Sequence, residues 1–196
     1  MCARLLTIHT LRQSAPRHLL FAYGANMNSR QLTQRCASPE RVSAAYLPDY
    51  RMEFYGHSEE WDGALETAIE TPGQALWGVL YALNDMDWEQ LDLWQDARFD
   101  GAGAYFHYPV TVFDPSGAAH EARLFKKDVL DSPLPPSAEY MSHILRGAIQ
   151  NQLPQPYIDR LRGLDSKPAR YPVPSRSGAN PARSAGKGCL SCASAG

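Results

Sequence analysis

Between Val42 and Leu83 the chain offers apolar, β-rich runs one after another, with turn residues between them and no helical segment to carry a crossover. The runs are Val42–Leu47, Tyr50–Tyr55, Ala64–Thr71 and Leu76–Leu83. Pro48-Asp49, a polar loop from Gly56 to Gly63, and Pro72-Gly73 separate them. Strands joined by short turns pair antiparallel, whereas parallel neighbours need a long crossover. Two further runs, Tyr105–Phe113 and Ala119–Phe125, flank Asp114-Pro115-Ser116-Gly117 and read as a hairpin. Pro109 suggests an edge or a bulge in the first of them. The pattern predicts an α+β fold: a small mixed or antiparallel, barrel-like sheet flanked by a few helices. It argues against a doubly wound parallel sheet.

Helix signals lie at four places. Asn28-Ser29 can cap a short helix reaching Cys36, and Asn84 one running to about Trp94, with Asp85 and Asp87 in its first turn and Met86, Leu91 and Trp94 as its apolar positions. Ser137 caps a third with Met141, Ile144, Leu145 and Ala148 on one face. Pro156–Leu164 reads as the last.

The 196 residues, 44% of them hydrophobic, suffice for one domain with a core. A formal net charge of −2 argues against nucleic acid as a main partner, and no apolar run is long enough to span a bilayer. Of four cysteines only Cys36 lies inside the expected domain, so a disulfide framework is not expected and a cytoplasmic setting is. Residues 1–17 hold Arg4, Arg12 and Arg17 and no acid, which fits a transit peptide or a flexible leader; the short apolar part favours the leader. Residues 166–196 are rich in Pro, Ser, Gly and basic residues and are expected to be a disordered tail, leaving 18–165 as the domain. The tail's Cys189-Leu190-Ser191-Cys192 lacks further zinc ligands nearby and reads as two incidental thiols.

The candidate site starts at Leu20–Met27. An apolar strand ends at Tyr23-Gly24, and a polar segment with helical spacing follows. Glycine at a strand end lets backbone approach a ligand, and amides at the next helix start suit an anion. Together these suggest a small-molecule site for a carboxylate-bearing ligand.

Five segments in order resemble the γ-glutamylcyclotransferase family. Phe21-Ala22-Tyr23-Gly24-Ala25-Asn26-Met27 resembles its Phe-Ala-Tyr-Gly-Ser-Asn signature. Trp61-Asp62-Gly63-Ala64, then Pro72-Gly73 and Leu76-Trp77-Gly78-Val79-Leu80-Tyr81, resemble a second run. Leu91-Asp92 resembles the start of a Leu-Asp-x-x-Glu-Gly segment, Tyr105 a tyrosine that follows it, and Pro136-Ser137-Ala138-Glu139-Tyr140 a helix start. The likeness runs from about residue 19 to 165, with an insertion between Gln95 and Tyr105. It implies a closed or nearly closed barrel and a cofactor-free, metal-free acyl transfer: the α-amine of a γ-glutamyl compound attacks its own γ-amide, giving 5-oxoproline and a released amine or peptide. It also implies a substrate-binding set of Tyr23, Gly24, Ala25, Asn26, Met27, Tyr105 and Tyr140. The expected partner is a small γ-glutamyl substrate; a homodimer is left open.

One departure matters. Counting from Leu91-Asp92, the family's proton-moving glutamate falls at Gln95, and its glycine at Asp96. A carboxamide cannot serve as a general base. Two carboxylates can take the role: Asp96, the neighbour, and Glu66, which shares a strand face with Ala64 and Ala68. If that face is inward, Glu66 is a pocket acid; if outward, it is an ordinary solvated carboxylate. The alternative is a catalytically inactive member that binds a γ-glutamyl or carboxylate ligand. His57 and His107 match no family motif.

Overall fold

The computed structural model describes residues 17–98, 100–128 and 130–175. The expected leader up to residue 16, the tail beyond 175, and Cys2, Cys189 and Cys192 lie outside the described residues.

The runs between Glu40 and Leu83 merge into two long strands, β2 (Glu40–Ser58) and β3 (Gly63–Leu83), so the turns expected at Pro48-Asp49 and Pro72-Gly73 are corrected to mid-strand irregularities. The two coincide across the ladder. The register shifts between Pro48 and Tyr50, Asp49 takes a left-handed conformation (φ 61°), and its Oδ1 accepts the Gly73 N–H at 2.7 Å. Turn residues that partner each other across a ladder bend a ribbon instead of ending it.

Short β1 (His18–Ala22) pairs antiparallel with the far half of β3, while β4 (Phe106–Phe113) and β5 (Ala119–Lys126) form the expected hairpin. The sheet closes as a barrel in the order β1-β3-β2-β4-β5, with the β1–β5 seam parallel. In the backbone ladder β4 pairs with β2 only at Tyr46 and Phe113, so Pro109 sits on a largely unpaired edge, where its missing N–H is tolerated. The core fills with Phe21, Leu76, Val79, Leu80, Val112 and Leu124, all essentially inaccessible.

Four helices flank the barrel: α1 (Ser29–Arg35), α2 (Asp85–Gln95), α3 (Ala138–Gln150) and α4 (Gln155–Arg162). Asn28, Asn84 and Ser137 cap the first three by accepting a backbone N–H three residues on. On α2 the buried residues are Asp87, Trp88 and Leu91; of the apolar positions Met86, Leu91 and Trp94, only Leu91 is fully buried and Met86 is exposed. α3 packs on the turn after β1. Asn151 Nδ2 and the Tyr81 hydroxyl both donate to the Met27 carbonyl, at 2.8 and 3.1 Å.

Ordered contacts continue past Asp165. Lys167 exchanges backbone hydrogen bonds with Pro136 and Ala138, Tyr171 donates to the Glu59 carbonyl, and Ser175 N–H to the Glu60 carbonyl. Arg170 grips Asp62, a side chain with no accessible surface, through Nη2 (2.6 Å), Nε (3.1 Å) and its own backbone N–H (2.6 Å). The stretch 166–175 therefore straps the Glu59–Asp62 loop, where a disordered tail was expected.

The Arg170 hydrogen bonds hold the Asp62 carboxyl down at about 2. A carboxylate depressed from an unfolded value of about 3.9 stabilises the fold above that pH, and loses the contribution as pH falls through the folded value. Arg170→Ala should lower Tm at neutral pH, with the gap to the parent closing between about pH 4 and pH 2. Thermal melts across that range check it; a gap that does not change with pH would exclude this pair as its source.

Candidate active site

β1 ends at Ala22, and Tyr23 and Gly24 lead into one tight turn of 3-10 helix, Ala25–Met27. Glu66 lies in the near half of β3, between Ala64 and Ala68, and all three are buried, Glu66 at 5% exposure. Its strand face is the one turned toward the site, because Glu66 stands on the cavity wall against the loop after β1. The carboxylate lies directly against Gly24: a Cβ there would land on Oε1 and Cδ of Glu66. Glycine at 24 is what allows a carboxylate to reach the loop backbone.

A buried charge must be hydrogen-bonded. Ala25 N–H donates to Oε1 of Glu66 at 3.3 Å, and the Tyr140 hydroxyl donates to Oε2. Tyr140 comes from the first turn of α3 and packs its ring on Trp61, centroids 4.7 Å apart. Tyr105, just before β4, donates to the Glu66 carbonyl at 2.8 Å, and Tyr23 donates to the Phe125 carbonyl at 2.5 Å. Burial, with the Glu66 charge second, pushes all three phenols well above 10, so each stays a donor.

Glu66 and its neighbours meet at a narrow cavity, about 10 Å³ in volume, whose wall holds Tyr23, Gly24, Asn26, Glu66, Gln95, Tyr105 and Phe125. Gln95 is the last residue of α2 and brings a carboxamide to the wall. Glu66 is the one carboxylate on that wall among the described residues. Asp96, the other candidate acid, turns away. It caps α2 in a left-handed conformation (φ 46°), and its half-exposed carboxylate accepts from Arg98 Nε (3.0 Å) and Ala104 N–H (3.2 Å). Those bonds organise the inserted loop. Met27, expected to touch substrate, is instead buried in the core and anchors the turn.

A larger cavity of about 190 Å³ is lined by Asp92, Ala97, Arg98, Phe106 and His107, with His107 Nε2 2.6 Å from Asp92 Oδ1. Asp92 precedes Gln95 by one helical turn, and His107 follows Tyr105 by two strand residues, so these pairs share faces. The sequence reading overlooked two cations. Lys127 places Nζ 4.6 Å from the Tyr105 ring centroid, and burial lowers its pKa despite the opposing Glu66 charge. Arg35, at the end of α1, donates to Asn26 Oδ1 at 2.8 Å. A visible signal was present for the second: α1 carries Arg30 and Arg35 and no acid. Among the described residues no group of three or more His, Cys, Asp or Glu is placed to hold a metal, and no helix is long and apolar enough to cross a membrane.

Tyr140→Phe should leave Glu66 Oε2 without its donor and destabilise the fold by about 1–3 kcal/mol, most of which Glu66→Gln in the same chain should remove. Urea unfolding of the two single variants and the double variant reads this directly; additive losses would refute the coupling.

The AIG2-like family matches residues 75–161. A γ-glutamylcyclotransferase of Bos taurus is 31% identical over 157 residues, spanning 78% of this chain and 81% of that protein. The Mus musculus protein of the same name is 29% identical over the same shares. A solved structure titled γ-glutamyl cyclotransferase superposes with a TM-score of 0.75 at 27% identity, covering 83% of this chain and 95% of its own. The likeness in sequence takes in most of both chains, and the family match includes the helix that brings Tyr140: the chain belongs to the γ-glutamylcyclotransferase family.

Proposed function

We propose that the chain cyclises a γ-glutamyl amide or peptide to 5-oxoproline with release of the amine, and that Glu66 moves the protons in place of a glutamate at position 95. One observation carries this reading: the Glu66 carboxylate is buried on the wall of the cavity that Gly24 opens, with Gln95 on the same wall.

The reaction needs the α-nitrogen held against the γ-carbonyl, which removes most of the entropic barrier of an acyl transfer. Glu66 takes a proton from the α-ammonium, the freed nitrogen attacks, and the C–N bond to the departing amine breaks. The protons lost by the attacking nitrogen end on the departing one, so no net acid or base is consumed. The Tyr140 hydroxyl holds the Glu66 carboxylate in place for this exchange. Ala25 N–H, now on Glu66 at a long 3.3 Å, is a donor the developing oxyanion can share, and the Gln95 amide is a second. The released group lies toward the cavity at Asp92, Phe106 and His107.

The assay offers γ-glutamyl dipeptides and γ-glutamyl alkylamines and follows 5-oxoproline. Glu66→Gln should lower kcat/KM by about 10²–10⁴ while Asp96→Asn leaves it unchanged. No product from either class would defeat the reading, and a rate indifferent to Glu66→Gln would defeat the role given to Glu66. The carboxamide at position 95 favours one other reading, a ligand-binding module; turnover that appears only in Gln95→Glu would establish it instead.

A further inference from the structure

The guanidinium of Arg35 is partly buried and, among the described residues, has no carboxylate within ion-pair distance. Neutral groups hold it. Nη1 donates to Asn26 Oδ1 at 2.8 Å, and the plane lies over the Trp94 ring, 5.2 Å from the centroid. With the Gln31 amide turned so that its nitrogen donates to the Ala25 carbonyl (3.2 Å), its oxygen accepts from Nη2 at 2.8 Å. Both holders are thereby tied to the substrate turn: Asn26 is part of it, and Gln31 bonds it. Asn26 and Gln95 line the site cavity, and Trp94 is next to Gln95, so the guanidinium stands directly behind that wall, one side chain from the cavity through Asn26. Its field reaches inside, opposing the upward push on the Tyr105 and Tyr140 phenols.

A guanidinium has five N–H donors, and these contacts use two. Its remaining edge is a planar fork that matches a carboxylate in bidentate fashion; its field reaches the Glu60 carboxylate as well, but with only neutral groups in direct contact it gains most from an anion that arrives with a ligand. Glu66 does not fill that role. Its oxygens are taken by Tyr140 and Ala25, and its charge faces the Gly24 side of the cavity.

We infer that Arg35 is the anion-recognition residue of this site and grips the α-carboxylate of the γ-glutamyl group at the cavity wall, beside Asn26 and Gln95. The inference rests on the proposed reaction for the identity of that carboxylate. It sorts substrates by the glutamyl end: the free α-carboxylate is required whatever the departing amine, and 4-aminobutanoyl amides or α-esters are rejected.

The test uses two lactams that differ only by the carboxylate, 5-oxoproline and 2-pyrrolidinone, titrated calorimetrically into the full chain. The parent should bind 5-oxoproline more tightly. Arg35→Gln should weaken 5-oxoproline by about 10- to 100-fold, to the level of 2-pyrrolidinone, and leave 2-pyrrolidinone unchanged; Arg35→Lys should fall between. Unchanged 2-pyrrolidinone binding also reports an intact cavity, since a misfolded variant would lose both ligands. A preference kept by Arg35→Gln overturns the role of Arg35, and equal binding of both lactams by the parent overturns the carboxylate subsite. Where the lactams bind too weakly to measure, kcat/KM for a γ-glutamyl alkylamine against the matching 4-aminobutanoyl alkylamine decides in the same way. Absence of any turnover in the parent fails the reaction itself, which is a separate result.

Discussion

A buried carboxylate that has no ion-pair partner among the described residues is the constraint around which this domain is arranged. Glu66 has 5% of its surface exposed and is held by a phenol and a backbone amide instead of a cation. An uncompensated buried charge is among the most costly things a fold can contain, so its neighbours are fixed by what it demands. Position 24 must have no side chain. Tyr140 must reach in from the first turn of α3, which Ser137 caps and Trp61 backs. The turn that supplies Ala25 N–H must be rigid, and two donors on its Met27 carbonyl tie it to β3 and to the residue that ends α3.

The position of that charge also explains how family membership and the carboxamide at 95 fit together. Gln95 and Glu66 face each other's cavity from different elements, one at the end of α2 and one in the middle of a strand. A carboxylate at both would place two like charges in one small, poorly solvated space, which disfavours ionisation of both. An acid on the strand and an amide on the helix keep one charge and add a neutral donor.

Much of this was written plainly in local sequence. Helix starts at Asn28, Asn84 and Ser137 follow from side chains that reach their own backbone, a purely local effect. The barrel class followed from successive strands without crossovers. The merging of strands did not, because Pro48-Asp49 and Pro72-Gly73 are turn signals that are only disarmed by pairing across the ladder, a contact between residues more than twenty positions apart. Strand alternation placed Glu66 with Ala64 and Ala68 but could not say which face was inward, since its other face holds the equally buried Thr67. Asp96 was credited as a neighbour of Gln95, yet one left-handed residue is enough to reverse the chain and send its carboxylate to Arg98. An arginine in the last turn of a helix is ordinary for dipole reasons, so the acid-free α1 does not by itself single out Arg35; the absence of an ion-pair partner among the described residues does.

The strap and the third helix have a consequence in time. Asp62 and Glu66 are both laid down in the first half of the chain, but their partners are Arg170 and Tyr140. A chain being made from its N-terminus can pair β1 through β5 while both carboxylates still lack those partners. The barrel wall can therefore assemble early, but its two most demanding charges are settled last, in the order in which residues 140 and then 170 leave the ribosome. The native site is complete only when the segment around Arg170 lies across the Glu59–Asp62 loop.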